Sequence, residues 1–373
     1  MNIVEISNKF PNELDAIKHF ENVRWGKNFV CPFCKSDKIG QRNIDHRFHC
    51  KTCQKSFSVT TNTNLHNTRL PLKTWMFAFG VVADAKKGLS AKQLERNLGI
   101  HYETAWTIYH KIRELMTIEN LNTQLDYIVE MDEKYVGGKP RKCSPNYNPT
   151  AKFIPEYDKK IDELKSDFEF KTGKYQKTCN FEKQKRGRGT KNIPVVGIVE
   201  RDGNVVAKVM ENLTYANLKS MVEKYVDIDE SVLLTDEYKG YSKIHSIIEH
   251  IKIDHNKLYS YRGINTNSIE SFWAIVERGI TGQYHKVSLK YLPNYVAEFV
   301  FKFNNRKNDD MFETLVKFSM MSGIPKKRTI TTNPDLEIIK ERRKKLLPEK
   351  TKSKPTIKKS VKKTIVKPKK VKK

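Results

Sequence analysis

The stretch LDYIVEMDEKYVGG, residues 125–138, decides how most of this chain is read. Apolar and polar residues alternate along it until a Gly-Gly pair stops it, the pattern of a strand with one buried face, and Asp132 rides on that strand. Downstream, NIPVVGIVERDGNVVAKVMENLT (192–214) reads as a hairpin turning at Asp202-Gly203. YANLKSMVEKYV (215–226) reads as a helix, and SVLLTDEYKGYSKI (231–244) as an apolar strand ending at Asp236. Glu130 shares the alternation phase of Asp132, whereas Glu133 and Glu237 should point elsewhere. All three are expected to be surface charges rather than ligands.

Strand, hairpin, helix and strand in that order is the sequence of elements in a ribonuclease H-like core, an α/β fold expected here as a mixed sheet flanked by helices. In that arrangement the two aspartates project from neighbouring strands toward one point. With a third acid from a later helix they can hold two divalent ions, Mg²⁺ or Mn²⁺, about 4 Å apart and stabilise both oxygens of a phosphodiester displacement. INTNSIESFWAIVERGITG (264–282) offers two candidates on one predicted helix, Glu270 and Glu277. They stand two turns apart, about 10 Å along the axis, so only one can reach the metals. Asn267 precedes Glu270 by three residues, and Asn-x-x-Glu is also a capping box that needs no metal. Trp273 reads as core, with stacking on an unpaired base as its alternative.

Upstream, Cys31-Pro-Phe-Cys34 and Cys50-Lys-Thr-Cys53 are separated by fifteen residues, the double-knuckle spacing of a tetrahedral thiolate Zn²⁺ site. A pair of disulfides is the alternative. His46 and His49 lie beside the second knuckle but four cysteines already close the shell, and Cys143 and Cys179 read as free thiols. TRLPLKTWMFAFGVVADAKK (68–87) has the apolar spacing of a helix. GLSAKQLERNLGIHYETAWTIYHKIREL (88–115) then reads as helix-turn-helix, with Ser90 as cap and Gly99 at the turn. The second helix should present His101, Tyr102, Thr104 and Lys111 outward to the major groove while Ala105, Ile108 and Ile112 pack inward. A helical hairpin that merely packs has the same pattern.

Seventy basic residues against 43 acidic ones give a net charge of +27, for which a polyanion, nucleic acid above all, is the economical partner. Residues 349–373 hold twelve lysines and one glutamate, +11 of that total, and are expected to be a disordered tail; the remaining +16 keeps the folded part basic as well. Residues 140–192 read as a polar insertion whose basic end, with Lys185, Arg186 and Arg188, can grip phosphates. No apolar run reaches bilayer length and MNIVEISNKF lacks a signal-peptide core, so an intracellular soluble protein without membrane contact is expected. That means cytoplasm or nucleoid in a bacterium and nucleus in a eukaryote.

Five segments, DEKYVGGK (132–139), GRGTKNIPVVGIVER (187–201), LLTDEYKGY (233–241), NTNSIESFWAIVERGITGQYHKVS (265–288) and YVAEFVFKFNNR (295–306), carry a resemblance. They are similar to the zinc-ribbon bacterial insertion-sequence transposases, the ISXO2-like group of the DDE superfamily, related to eukaryotic Merlin elements. The similarity runs from Val23 to Arg306 and includes the ribbon and the NTRLPLKTW linker. It implies a ribonuclease H-like fold, a divalent metal, and excision and strand transfer of a mobile element with short inverted repeats. By resemblance Asp132 and Asp236 match the first two catalytic acids and Glu270 the third, with Asn267 assisting. An Asp-Asp-Asn-Lys signature in some relatives leaves open whether Asn267 or Glu270 completes the set. This chain has Asn265 where a histidine is usual and Glu277 where a lysine is common. Two element ends imply a homodimer or larger assembly on DNA.

The expected organisation is an N-terminal helical segment (1–22), a zinc ribbon (23–62), a helical DNA-reading region (63–122), a catalytic domain (123–322) and the tail (323–373). The rival readings are a domesticated copy that binds DNA without cutting it, and a nuclease acting on RNA or branched DNA.

Overall fold

The computed structural model describes residues 1–42, 46–137, 193–236, 239–241, 243–253 and 265–321. The insertion at 140–192 and the tail at 323–373 lie outside the described residues. In chain order the elements are helices α1 (Ile3–Lys9) and α2 (Glu13–Trp25), strands β1 (Ile39–Arg42), β2 (Arg47–Cys50) and β3 (Ser56–Phe57), and helices α3 (Leu72–Asp84), α4 (Ala91–Leu98) and α5 (Tyr102–Asn122). Strands β4 (Ile128–Val136), β5 (Ile193–Glu200) and β6 (Val205–Val209) follow, then helix α6 (Tyr215–Tyr225) and strands β7 (Val232–Thr235) and β8 (Glu249–Lys252). Helices α7 (Asn267–Gly279), α8 (Leu292–Asn304) and α9 (Met311–Met320) close the described chain.

The expected strand at 125–138 sits at the centre of a five-stranded mixed sheet of order β6-β5-β4-β7-β8. β4 pairs antiparallel with β5, and β5 with β6, while β7 runs parallel to β4 and β8 parallel to β7. Alternation along β4 sorts its side chains between two apolar layers. Val129 and Met131 pack with Val196, Ile198 and the α6 residues Leu218, Met221 and Val222. On the opposite face Ile269, Phe272, Trp273 and Val276 of α7 and Val296 and Val300 of α8 cover Val195, Val199, Val205 and Val209. Asp132 pairs with Gly197 of β5. A Cβ at Gly197 would stand 2.9 Å from both Ile269 and Trp273, so the missing side chain is what lets α7 lie this close to the sheet. Trp273 is therefore core, as its spacing suggests.

The N-terminal helices form a second core. Seven residues of α3 are buried, and Ser90 caps α4 by accepting from the Gln93 N–H at 3.1 Å, while Gly99 ends that helix in the left-handed region at φ 64°. Helix α9, from the far end of the described chain, brings Phe312, Leu315 and Val316 into this same helical core. The two cores are also bolted together through a buried charge cluster. Glu298 of α8, fully buried, accepts from Arg113 Nε of α5 at 2.8 Å, from the Tyr284 hydroxyl at 2.8 Å and from the Tyr109 hydroxyl, with Lys302 Nζ 3.4 Å away. Burial alone would raise the Glu298 carboxyl, but Arg113 and Lys302 together bring it down to about 2.

A depressed carboxyl stabilises the fold above its unfolded value near 4.5, and that contribution is lost as pH falls from there toward about 2. Glu298→Gln leaves Arg113 buried without its counter-charge and should cost roughly 3–5 kcal/mol. Urea unfolding at pH 7 measures the loss, and repeating it at pH 3 should show the gap between wild type and variant narrowing.

Candidate catalytic site and zinc centre

Parallel pairing of β4 and β7 sets Met131 beside Thr235, so the next residues, Asp132 and Asp236, leave adjacent strands side by side. Among the described residues, the carboxylate oxygens of Asp132, Glu133 and Asp236 come within 4.8 Å of one another. Glu133 corrects the alternation argument. Although it leaves the strand on the opposite side from Asp132, where the Tyr241 hydroxyl donates to it at 2.9 Å, its carboxylate still joins the cluster beside the end of β7. Asp132 is pushed up to about 7, first by burial and then by the negative charge of Glu133, Asp236 and Glu270, against one stabilising backbone N–H from Glu133. Crowded carboxylates are hard oxygen donors whose mutual repulsion a divalent cation relieves, so the donor set fits Mg²⁺ or Mn²⁺. Glu270 lies on the exposed first turn of α7, outside the tight trio, near enough for its charge to act on Asp132.

How α7 is held shows a second departure from expectation. Glu130 is no surface charge: it is fully buried, accepts from Arg201 at 3.1 and 3.2 Å, and its other oxygen accepts the backbone N–H of Ile269 at 3.0 Å. Arg201 also donates to the Asn265 carbonyl at 3.0 Å. A strand carboxylate and a hairpin arginine thus tie down the start of α7. The helix begins after Thr266, which makes no side-chain cap, and Asn267 is its first residue, so the Asn267–Glu270 capping box does not form. Both side chains are exposed. No local pattern advertises Arg201, because its partners lie 71 and 64 residues away.

Two turns along α7, Glu277 pairs with Lys134 Nζ at 3.0 Å, and Lys134 lies two residues beyond Asp132 on the same strand face. The pair is exposed, so Glu277→Ala should change stability by less than about 1 kcal/mol in thermal unfolding.

The ribbon geometry is equally specific. Cys31 and Cys53 sulfurs stand 3.7 Å apart and those of Cys34 and Cys50 3.5 Å apart, and all four fall within 4.8 Å of one another. Tetrahedral thiolates at the usual Zn–S distance of about 2.3 Å have edges near 3.8 Å, whereas a disulfide needs about 2.05 Å. The four cysteines therefore fit Zn²⁺ and are free of disulfides. Each knuckle turns at a left-handed residue just after its second cysteine, Lys35 (φ 62°) and Gln54 (φ 57°). Backbone N–H groups of Cys53 and Thr52 pull the Cys50 thiol down, while burial and hydrogen bonding to the other three sulfurs push the Cys34 thiol up, so thiolate character is uneven across the four. His49 is engaged with Gln54 Oε1 at 3.0 Å. Trp25 packs against Phe29, Phe48 and Phe57 beneath the knuckles.

At the head of α5, His101 and Tyr102 are exposed and Thr104 half-buried, with Ala105, Ile108 and Ile112 packed inward. Lys111 departs from the outward position expected of it: it is half-buried with its ammonium 5.9 Å from the Trp75 ring, and burial lowers its pKa. Its long stem covers apolar surface instead of reaching a groove. Lys185, Arg186 and Arg188 lie outside the described residues, as do Cys143 and Cys179. Among the described residues no helix is long and apolar enough to cross a membrane.

Comparison with known proteins agrees with this layout. Residues 11–56 match the transposase zinc-ribbon domain and residues 170–304 the ISXO2-like transposase domain. Over 131 residues the chain is 27% identical to a protein described as uncharacterized in the transposable element ISH50 of Halobacterium salinarum, across 34% of this chain and 43% of that protein. The chain thus spans less than half the length of that relative. No solved structure matches it. The chain is thus similar to a transposase zinc-ribbon domain in its N-terminal part, to an ISXO2-like transposase domain further along, and to a protein of an insertion element over about a third of its length.

Proposed function

We propose that this protein is a DNA transposase that binds the terminal inverted repeats of a mobile element and catalyses metal-dependent strand cleavage and strand transfer. The observation that carries the reading is the meeting of Asp132, on the central strand β4, with Asp236, just past the end of the neighbouring β7, where burial and then the surrounding acids raise Asp132 to about 7. The strand order β6-β5-β4-β7-β8, three antiparallel strands followed by two parallel ones, supports a ribonuclease H-like core. The capped α4, the Gly99 turn and the exposed head of α5 support a helix-turn-helix. The ribbon and this reader would recognise the element ends, and the basic end of the insertion, Lys185, Arg186 and Arg188, would grip phosphates. Because an element has two ends, the working form is a homodimer or larger assembly.

Asp132, Asp236 and Glu270 would hold Mg²⁺ or Mn²⁺, which supplies charge stabilisation to the attacking and leaving oxygens of the phosphodiester. Water is the nucleophile for the first cut and the freed 3′-hydroxyl for strand transfer. Glu130 and Arg201 hold the start of α7, the helix that carries Glu270. Asn267, exposed one turn earlier, orients water or phosphate. Glu133, engaged by Tyr241, tunes the cluster from behind.

A labelled DNA fragment carrying the short inverted repeats that flank the gene tests the reading. Cleavage at the repeat ends with Mg²⁺ and none with a chelator is expected; binding without cleavage under both conditions would favour a domesticated DNA-binding protein. In the same assay Glu270→Gln should lower the rate roughly 10³-fold and Glu277→Ala less than about 3-fold, while Glu133→Gln, an outer partner, should cost about 10-fold. The reverse order for 270 and 133 would make Glu133 the third acid.

A further inference from the structure

A separate cavity of about 350 Å³ opens between the head of α5, the start of α4 and the turn Ile280–Tyr284 that continues α7. That volume falls in the ~300–1,000 Å³ range of small-ligand sites. Its walls are aromatic: the Trp106 and Tyr291 rings meet edge to face at 5.3 Å, and the His110 imidazole lies 4.3 Å from the first and 4.5 Å from the second. His110 is 1% exposed, yet among the described residues neither of its ring nitrogens has a hydrogen-bond partner. A buried polar ring with neither nitrogen partnered is costly, and this one borders a cavity. Burial holds His110 down at about 3, so the ring is neutral and offers one donor and one acceptor.

The chemistry of the pocket selects the ligand. Arg113 at its floor is committed to Glu298 at 2.8 Å, so the interior carries no free cation for a phosphate. Lys92 and Lys286 belong to its lining, and Lys286 is exposed. Aromatic walls, a neutral donor and acceptor, and the exposed Lys286 at the mouth, beside Lys92 paired with Glu95 at 2.6 Å, fit a nucleobase inside with its phosphate outside. The pocket also borders both helices of the proposed DNA reader and the continuation of the helix bearing Glu270.

We propose that this pocket takes one unpaired nucleobase of the bound DNA, stacked on Trp106 with the Tyr291 ring against its edge and hydrogen-bonded to His110. The inference deepens the transposase reading, since the captured base would fix the distance between the reader helix and the cut.

The test uses the full chain and two labelled duplexes of identical arbitrary sequence, one fully paired and one with a single bulged 2-aminopurine. The bulged duplex should bind about 10-fold more tightly, with its fluorescence quenched on binding. Trp106→Ala and Tyr291→Ala should each erase that preference and the quenching without changing affinity for the paired duplex, while Trp106→Phe keeps most of both; circular dichroism checks that each variant folds. Equal affinity of wild type for the two duplexes, or a preference that survives in a folded Trp106→Ala, overturns the inference. So does thymidine monophosphate binding as tightly as the bulged duplex, which would mark a site for free nucleotides. Cleavage of element ends is scored separately: a protein that prefers the bulge but never cuts loses the transposase reading and keeps the pocket, and one that cuts without the preference does the opposite.

Discussion

Asp132→Asn should lower metal-dependent strand cleavage by roughly 10³-fold or more and at the same time stabilise the metal-free protein. The two effects share one cause. Burial and the charges of Glu133, Asp236 and Glu270 raise the Asp132 carboxyl from 3.8 to about 7, so ionising it in the folded chain is uphill. A folded-state value above the unfolded one means the native chain binds the proton more tightly, and stability falls as pH rises from about 4 to about 7. Asparagine cannot ionise. In chelator-treated protein at pH 8 the variant should therefore be more stable than wild type, by on the order of a few kcal/mol, and the advantage should vanish near pH 4. Urea unfolding at the two pH values, beside a cleavage assay at pH 8, measures both. Loss of activity with an equal loss of stability at pH 8 would mean that Asp132 is a structural residue. Asp236→Asn should match the catalytic loss.

Removing zinc should be the largest structural perturbation available to this protein. Structural Zn²⁺ sites contribute about 10–16 kcal/mol of apparent binding energy, far more than the four buried residues around the knuckles, Cys31, Phe48, Cys50 and Phe57, can supply alone. Dialysis against a strong chelator, or Cys50→Ser, should unfold residues 27–57 and open them to protease. Trp25 reports the event directly because its ring leans on Phe29, Phe48 and Phe57, so its fluorescence should shift to the red. The helical core around α3 and α5 has its own buried residues and should keep its circular dichroism signal. Metal analysis should find one zinc per chain. Protein without zinc and with unchanged Trp25 emission would contradict the assignment.

Much of this was legible before the structure because local rules govern it. Alternation placed Asp132 on a strand, the Asp-Gly turn placed a hairpin, and knuckle spacing placed four thiols on one metal. Those signals need only neighbours in sequence. Glu130 and Glu133 were misjudged for the complementary reason. Alternation fixes the side of the sheet from which a carboxylate departs, but Glu130 is buried because Arg201, 71 residues later, and the Ile269 amide, 139 residues later, satisfy it. Glu133 joins the acidic cluster because it lies just beyond the last β4–β7 pair, Met131–Thr235, where Asp236 leaves β7. Lys111 likewise sits on the predicted helix, and only the packing of α3 against α5 decides that its stem lies across Trp75. The short β8 carries four residues, none fully buried, too brief for alternation to declare, and it exists through its pairing with β7.

The most direct test is anomalous diffraction from crystals of the full chain with DNA and Mn²⁺. Two manganese peaks about 4 Å apart are expected, with Asp132 and Asp236 both in coordination range and Glu270 on one of them. Manganese bound elsewhere, or a peak at this site that leaves either aspartate beyond reach of the ion, would contradict the catalytic assignment.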